Sequence, residues 1–109
     1  MESVQAVEQL SALAQQARLA IFRALVVAGR PGLCPSDLQA QLSLTPSVLS
    51  FHLKALRQAG LLQVRPEGRH LFYSADFAAM RALIHYLTDN CCAAERAAEA
   101  CEGPECATS

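Results

Sequence analysis

A winged helix-turn-helix, mainly α with a small β-hairpin, is the fold class this 109-residue sequence predicts, and three observations in one stretch point to it. First, Thr45-Pro46 is helix-start chemistry: a hydroxyl that caps, then a proline with no N–H to leave orphaned. Apolar residues follow at Leu49, Leu53 and Leu56, the helical period, and Gly60 stops the helix at its C′ position. Second, two β-prone runs, Leu61 to Arg65 and His70 to Ala75, are joined around Glu67-Gly68 as a hairpin. Third, Lys54, Arg57, Arg65 and Arg69 stand against Glu67 alone between residues 45 and 75, a local balance of +3. A short helix feeding a basic hairpin is the layout in which the helix enters a DNA major groove and the wing touches backbone.

The remaining elements follow in order. Val4 to Ala14 is weakly amphipathic, with Val4, Val7, Leu10, Leu13 and Ala14 on one face. A second helix runs from Gln16 to about Ala28 with Leu19, Ile21, Phe22, Leu25 and Val26 inward, until Gly29-Arg30-Pro31-Gly32 breaks it. A third starts at Pro35 or Ser36 and ends at Leu42; Ser36 is a candidate cap, and Asp37 sits near the positive end. Ser43-Leu44-Thr45 turns into the recognition helix, Pro46 to Ala59. Past the hairpin, Asp76 opens a long helix through Phe77, Met80, Leu83, Ile84 and Leu87. The spacing Phe77, Met80, Ile84, Leu87, Cys91 alternates three and four, a seam for another helix, although the same stripe suits a core face within one domain. Terminal helices flanking a small DNA-reading centre suit a two-fold homodimer, and winged helices that read operators need two half-sites. The expected organisation is a DNA-binding and dimerisation domain at 1–100 and a flexible, Cys-containing tail at 101–109.

Composition narrows the function classes. With 52% hydrophobic residues the chain forms one domain, small enough that pairing with a second copy helps bury its core. A formal net charge of −1 taken alone argues against nucleic acid. Its distribution reverses that, because Asp89, Glu95, Glu99, Glu102 and Glu105 against Arg96 concentrate a balance of −4 at the C-terminal end. The basic stripe elsewhere still steers phosphates. There is no cationic start with an apolar run, and no apolar stretch near the roughly 20 residues of a membrane span. A cytoplasmic location without a membrane partner is expected. No Cys-x-x-Cys, cofactor loop or acid/base pair supports an enzyme, which leaves a thiol enzyme as the least favoured class.

Subtracting the inward leucines leaves Ser47, Val48, Ser50, Phe51 and Lys54 on the outer side of the recognition helix. Ser47 and Ser50 suit base edges or phosphates, and Val48 or Phe51 a thymine methyl. Lys54 and Arg57 suit phosphates, as do Arg65, Arg69 and His70 on the wing. Phe51 equally suits a contact with a neighbouring helix. His52 joins the candidate set, with an orienting hydrogen bond favoured over base readout by its place beside the preceding turn.

The cysteines are Cys34, Cys91, Cys92, Cys101 and Cys106, an odd number that does not suggest a disulfide framework. Thiolates are soft ligands that select thiophilic ions. Tetrahedral zinc wants four ligands at paired spacings, whereas here two adjacent cysteines are followed by eight residues, a cysteine, four residues and a last cysteine. Adjacent residues on a helix point about 100° apart, so Cys91 and Cys92 join one centre only if the helix ends there. Trivalent arsenic or antimony needs three thiolates, so Cys91, Cys92 and one tail cysteine suffice: Cys101, or alternatively Cys106. The same thiols suit redox sensing. Cys34 reads as a small buried hydrophobe.

Ala17-Arg18-Leu19-Ala20-Ile21-Phe22-Arg23-Ala24-Leu25, Ser50-Phe51-His52-Leu53-Lys54-Ala55-Leu56, Ala59-Gly60-Leu61-Leu62 and Glu67-Gly68-Arg69 together resemble the ArsR/SmtB family of metal-sensing repressors. The resemblance covers about residues 5 to 90. It implies a homodimeric winged helix with the first and last helices at the interface, repressing a resistance operon until a metal or metalloid binds. Arsenic-responsive members often carry Leu-Cys-Val-Cys-Asp-Leu at the third helix; Leu33-Cys34-Pro35-Ser36-Asp37-Leu38 keeps one thiol of it. The zinc-type site on the last helix is lacking, since Asp76 is followed by Ala78 where His is expected and His85 has no companion. Tyr86-Leu87-Thr88-Asp89-Asn90-Cys91-Cys92 resembles arsenic-sensing relatives with a Cys-Cys pair at this helix end and a later cysteine. The resemblance therefore implies operator DNA as partner and As(III) or Sb(III) as inducer, with no catalytic cofactor.

Overall fold

The computed structural model describes residues 1–97, with side chains to Glu95. The order is α1 (Ser3–Leu13), α2 (Gln16–Ala28), α3 (Pro35–Leu42), α4 (Pro46–Gln58), β1 (Leu62–Glu67), β2 (His70–Ala75), α5 (Phe77–Thr88) and α6 (Ala93–Ala97). This is the winged helix-turn-helix expected from the sequence.

Recognition helix α4 is bounded by local chemistry at both ends. Thr45 Oγ1 accepts from the Val48 N–H at 3.4 Å, and Pro46 fills the first helical position. At the other end Gly60 adopts φ +81°. Its N–H donates to Arg57 O (2.9 Å), and the Leu61 N–H donates to Leu56 O (3.1 Å). Those two bonds are a Schellman stop, closed by contact of the two buried leucines, 56 and 61. Leu61 is therefore part of the cap, and β1 starts one residue later than expected.

The core gathers Ile21, Phe22 and Leu25 of α2, Leu38 of α3, and Leu49, Leu53 and Leu56 of α4 around Leu61, Leu62 and Ala75. Each fully buried Leu or Ile is worth about 1.5–3 kcal/mol over leaving it in water. Leu19, expected inward, is instead exposed, at the rim of α2. At the start of α3 the helix opens on Pro35, so Cys34 and not Ser36 holds the cap position. Asp37 reaches back to accept from the Cys34 N–H at 3.3 Å and from its thiol at 3.1 Å.

The wing is an antiparallel pair in register from Leu62↔Ala75 to Glu67↔His70. Its two-residue turn is Gly68-Arg69, where only the glycine takes positive φ (+64°), as a type II′ hairpin requires. The strand thus runs through Pro66 and Glu67, beyond the predicted end at Arg65. Proline is tolerated there because a two-stranded ribbon leaves an edge that needs no donor. At the root Leu33 and Tyr73 exchange both backbone bonds (2.9 and 2.8 Å), docking the wing onto the α2–α3 connection. Gly32, at φ +75°, lies so close to the Tyr73 carbonyl that a Cβ would collide with it.

The outer helices divide differently from the predicted stripes. On α1 the buried residues are Ala6 and Gln9, while Val4, Val7 and Leu10 face outward. Asp76 caps α5 by accepting from the Ala79 N–H at 2.9 Å. Phe77 and Met80 pack against the core and Leu83 is buried, but Ile84 and Leu87 remain 54% and 57% exposed. An apolar groove of about 310 Å³ runs between α2 and α5, with Leu13, Leu19, Phe22, Met80 and Ile84 among its lining. The helix ends at Thr88, and Asn90 takes φ +61°, so Cys91 is not on the seam as expected. Thr88 Oγ1 donates back to Ile84 O at 2.9 Å in the last turn, and asparagine at position 90 tolerates the left-handed region. Among the described residues no single helix is long and apolar enough to cross a membrane.

Candidate nucleic-acid interface and thiol site

The outer face of α4 presents Ser47, Val48, Ser50, Phe51, Lys54 and Arg57, all exposed. Phe51 is 65% exposed, so it does not pack into a neighbouring helix; its ring meets the edge of His52 at 5.4 Å. Between α4 and the wing lies a cleft of about 500 Å³ lined by Ser50, Leu53, Lys54, Arg57, Gln58 and Tyr73. Arg69 and His70 are exposed at the wing tip. Among the described residues Lys54, Arg57 and Arg69 have no ion-pair partner, which leaves their charge for anions outside the chain. Arg65 is partly committed: it pairs with Glu67 at 3.5 Å, donates to Pro31 O at 3.3 Å and lies over the Phe72 ring at 5.2 Å. It braces the wing as well as charging it.

His52 points the other way. It is three residues from Leu49 and four from Leu56, hence on the inward stripe, and only 8% exposed. Its Nδ1 faces Arg18 Nη1 at 3.3 Å. A guanidinium only donates, so Nδ1 accepts and the ring is neutral with its hydrogen on Nε2. This corrects the inclusion of His52 among the DNA-facing residues; the favoured orienting role is the one its geometry fits. Burial first, and the Arg18 charge second, hold its pKa below the ordinary 6.5. A depressed folded-state pKa contributes stability that is complete above 6.5 and is lost as pH falls through the folded value. The urea midpoint is therefore expected to drop between about pH 7.5 and about pH 5.5, and to drop less in His52→Asn, which keeps an acceptor but takes no proton. Equal drops in the two proteins would remove His52 from the acid response.

Two residues outside the candidate set tie α4 to the first helix. Gln9 is wholly buried; Nε2 donates to Ala59 O at 3.2 Å, while Oε1 has no partner among the described residues. An unsatisfied buried acceptor costs about 1–3 kcal/mol. Arg18 donates from Nε to Ala12 O at 2.7 Å, besides reaching His52. The signal in the sequence is the Ala6, Gln9, Ala12 spacing, small residues flanking an amide on one helical face. Apolarity drew attention to the opposite face.

The thiols lie beyond the end of α5. Cys91 Sγ and Cys92 Sγ stand 3.6 Å apart, with Cys91 exposed. Two thiolates each about 2.3 Å from a shared thiophilic ion stand about 3.5–3.8 Å apart, so the pair fits one centre. The departure from helix is what allows this, because Asn90 and Cys92 both take positive φ (61°). Cys92 is disulfide-bonded in this structure, so shared ligation calls for the reduced chain. Cys101 and Cys106, the candidates for the third thiolate, and the 101–109 tail lie outside the described residues. Among the described residues no group of three or more His, Cys, Asp or Glu stands close enough to hold a metal. Cys34 is half-buried rather than buried, its sulfur 3.2 Å from Ser36 Oγ and engaged in the α3 cap.

Comparison with known proteins gives a consistent picture. A family model described as a helix-turn-helix domain matches residues 13–65. The transcriptional regulator CmtR of Mycobacterium tuberculosis is 42% identical over 96 residues, covering 80% of this chain and 78% of that protein. The transcriptional activator HlyU of Vibrio cholerae is 35% identical over 85 residues, 78% of this chain and 76% of its own. Its solved structure superposes with a TM-score of 0.64 at 37% identity, covering 80% of this chain and 97% of that one. The homodimeric winged helix-turn-helix domain of Mb0332 from Mycobacterium bovis gives 0.62 at 26% identity, over 79% and 80% of the two chains. A protein described as a possible transcriptional regulator for arsenical resistance gives 0.61 at 30% identity, over 74% and 84%.

Proposed function

As the chain belongs to the ArsR/SmtB family of transcriptional regulators, we propose that it is a homodimeric repressor of an arsenic-resistance operon, released from operator DNA by As(III) or Sb(III). The observation that carries the ligand assignment is the Cys91–Cys92 sulfur pair at 3.6 Å just beyond α5. Cys91, Cys92 and Cys101 hold the metalloid, with Cys106 as the alternative third ligand. When bound, a trivalent metalloid supplies a three-thiolate node that ties the helix end to the tail. A structural neighbour described as a possible transcriptional regulator for arsenical resistance supports the same ligand class. The DNA contacts fall to Ser47, Val48, Ser50 and Phe51 for bases and to Lys54, Arg57, Arg65, Arg69 and His70 for backbone.

The deciding titration uses the chain, kept reduced with a phosphine, bound to duplex DNA from upstream of its own coding sequence. Arsenite and antimonite are expected to release it stoichiometrically, without turnover, and zinc or cadmium to leave it bound. A second reading, thiol-redox sensing, is favoured by the Cys92 disulfide beside an exposed Cys91. Release by peroxide once the phosphine is removed, but not by arsenite, would establish it. On the DNA side, Arg69→Ala is expected to weaken binding to all duplexes and lower the salt slope by about one unit for a lost phosphate contact. Ser50→Ala should relax preference at particular bases with the slope intact. An unchanged slope in Arg69→Ala would remove the wing from the interface.

A further inference from the structure

We propose that Gln9 and Arg18 are positioning residues that clamp recognition helix α4 to α1 at two points and so set its tilt for base readout. This rests on the DNA-reading function above. Gln9 Nε2 holds the carbonyl of Ala59, the C-terminal cap residue of α4, at 3.2 Å. Arg18 holds the middle of the same helix through His52 Nδ1 at 3.3 Å while its Nε anchors on Ala12 O, near the end of α1, at 2.7 Å. Ala59 and His52 are seven residues apart, about 10 Å along a helix, so the two attachments constrain an axis and not merely a point.

The core cannot do this by itself. Leu49, Leu53 and Leu56 are buried, but apolar burial is non-directional and tolerates small rotations. Hydrogen bonds weaken steeply with angle and therefore resist them. Stability is not what favours Gln9: its Oε1 is buried without a partner among the described residues, a defect that an apolar residue of similar volume removes while leaving the Ala59 carbonyl without its donor, so the two costs offset. Both residues also sit off the DNA face, Gln9 wholly buried and Arg18 half-buried, so any effect on recognition passes through α4.

Gln9→Met in the full chain separates positioning from stability, with Arg18→Met alongside. Three quantities are read: thermal midpoint, amide hydrogen exchange along α4, and the ratio of affinities for operator and unrelated duplex with its salt slope. In Gln9→Met the midpoint is expected to change little, while α4 exchange quickens and the affinity ratio falls, both about tenfold, with the slope unchanged. The clamp is overturned if α4 exchange and discrimination stay at wild-type values. It is equally overturned if both decline only in step with the midpoint, the signature of plain destabilisation. Should Arg18→Met fail to fold, Gln9→Met alone decides. A wild-type chain that does not discriminate operator from unrelated DNA would sink the DNA-reading function instead, and the α4 exchange rates would still judge the clamp.

Discussion

Replacing Cys91 and Cys92 together by serine is expected to leave operator affinity intact and abolish its response to arsenite. The two sulfurs lie past the last turn of α5, and neither residue is among the proposed DNA contacts on α4 and the wing. In the wild type, ligand binding should weaken DNA binding about 5–150-fold, the usual range of a coupling of about 1–3 kcal/mol between sites. In the double variant that factor should be about 1. Linkage makes the effect reciprocal: operator DNA must weaken arsenite binding by the same factor. The physical route is the loop Asp89–Cys92, which leaves the helix beside the exposed end of α5. In the proposed homodimer, tying that loop would alter how α5 meets a second copy, and the spacing of two recognition helices must match half-sites about 34 Å apart. Cys91→Ser alone, which keeps the Cys92 thiol of the reduced chain, should lose the response too. Dissociation constants with and without arsenite, under phosphine reduction, are the measurement. A double variant that still lets go of DNA at wild-type arsenite levels removes these thiols from the switch. Loss of release only on changing Cys106 moves the third ligand along the tail.

Leu87→Glu is expected to convert the proposed dimer to monomer and cut operator affinity by at least about 100-fold. Within one chain Leu87 is 57% exposed and lies outside the core cluster, so a carboxylate there reaches water. The folded monomer should keep its helical content and thermal midpoint at low concentration. Against a second copy the same charge is buried without a partner, at a cost of about several kcal/mol, and two-fold symmetry imposes it twice. Ile84, one turn earlier and similarly exposed, belongs to the same patch. Sedimentation at several concentrations reads the mass directly. A variant that remains dimeric and operator-bound places the interface on another face.

How much of this was legible beforehand depended on the range of the interaction concerned. Thr45-Pro46 and Gly60 acted within a turn of themselves, and the helix they bound is present almost to the residue. The hairpin was legible for the same reason, since glycine at the turn is a local requirement; its limits shifted because Leu61 was taken by the helix stop, which needs Leu56 as partner. The inward leucines of α4 were readable from period alone. His52 was harder. Its type suits DNA, but its register with Leu49 and Leu56 turns it inside, where Arg18 from another helix receives it.

Sequence alone determined the fold class, the basic face with Ser50, Lys54, Arg57 and Arg69 outward, and the clustering of thiols at one end of the chain. These depend on short periods, turn chemistry and residue type, all of which act between neighbours. Only the tertiary structure decided which half of the Phe77-to-Leu87 stripe is core and which is bare surface. Only it drew Cys91 and Cys92 off the helix to within 3.6 Å, and set Gln9 against Ala59 across fifty residues of chain. Such pairings arise where separate elements meet, and their geometry depends on how the whole core packs rather than on any local run of residues.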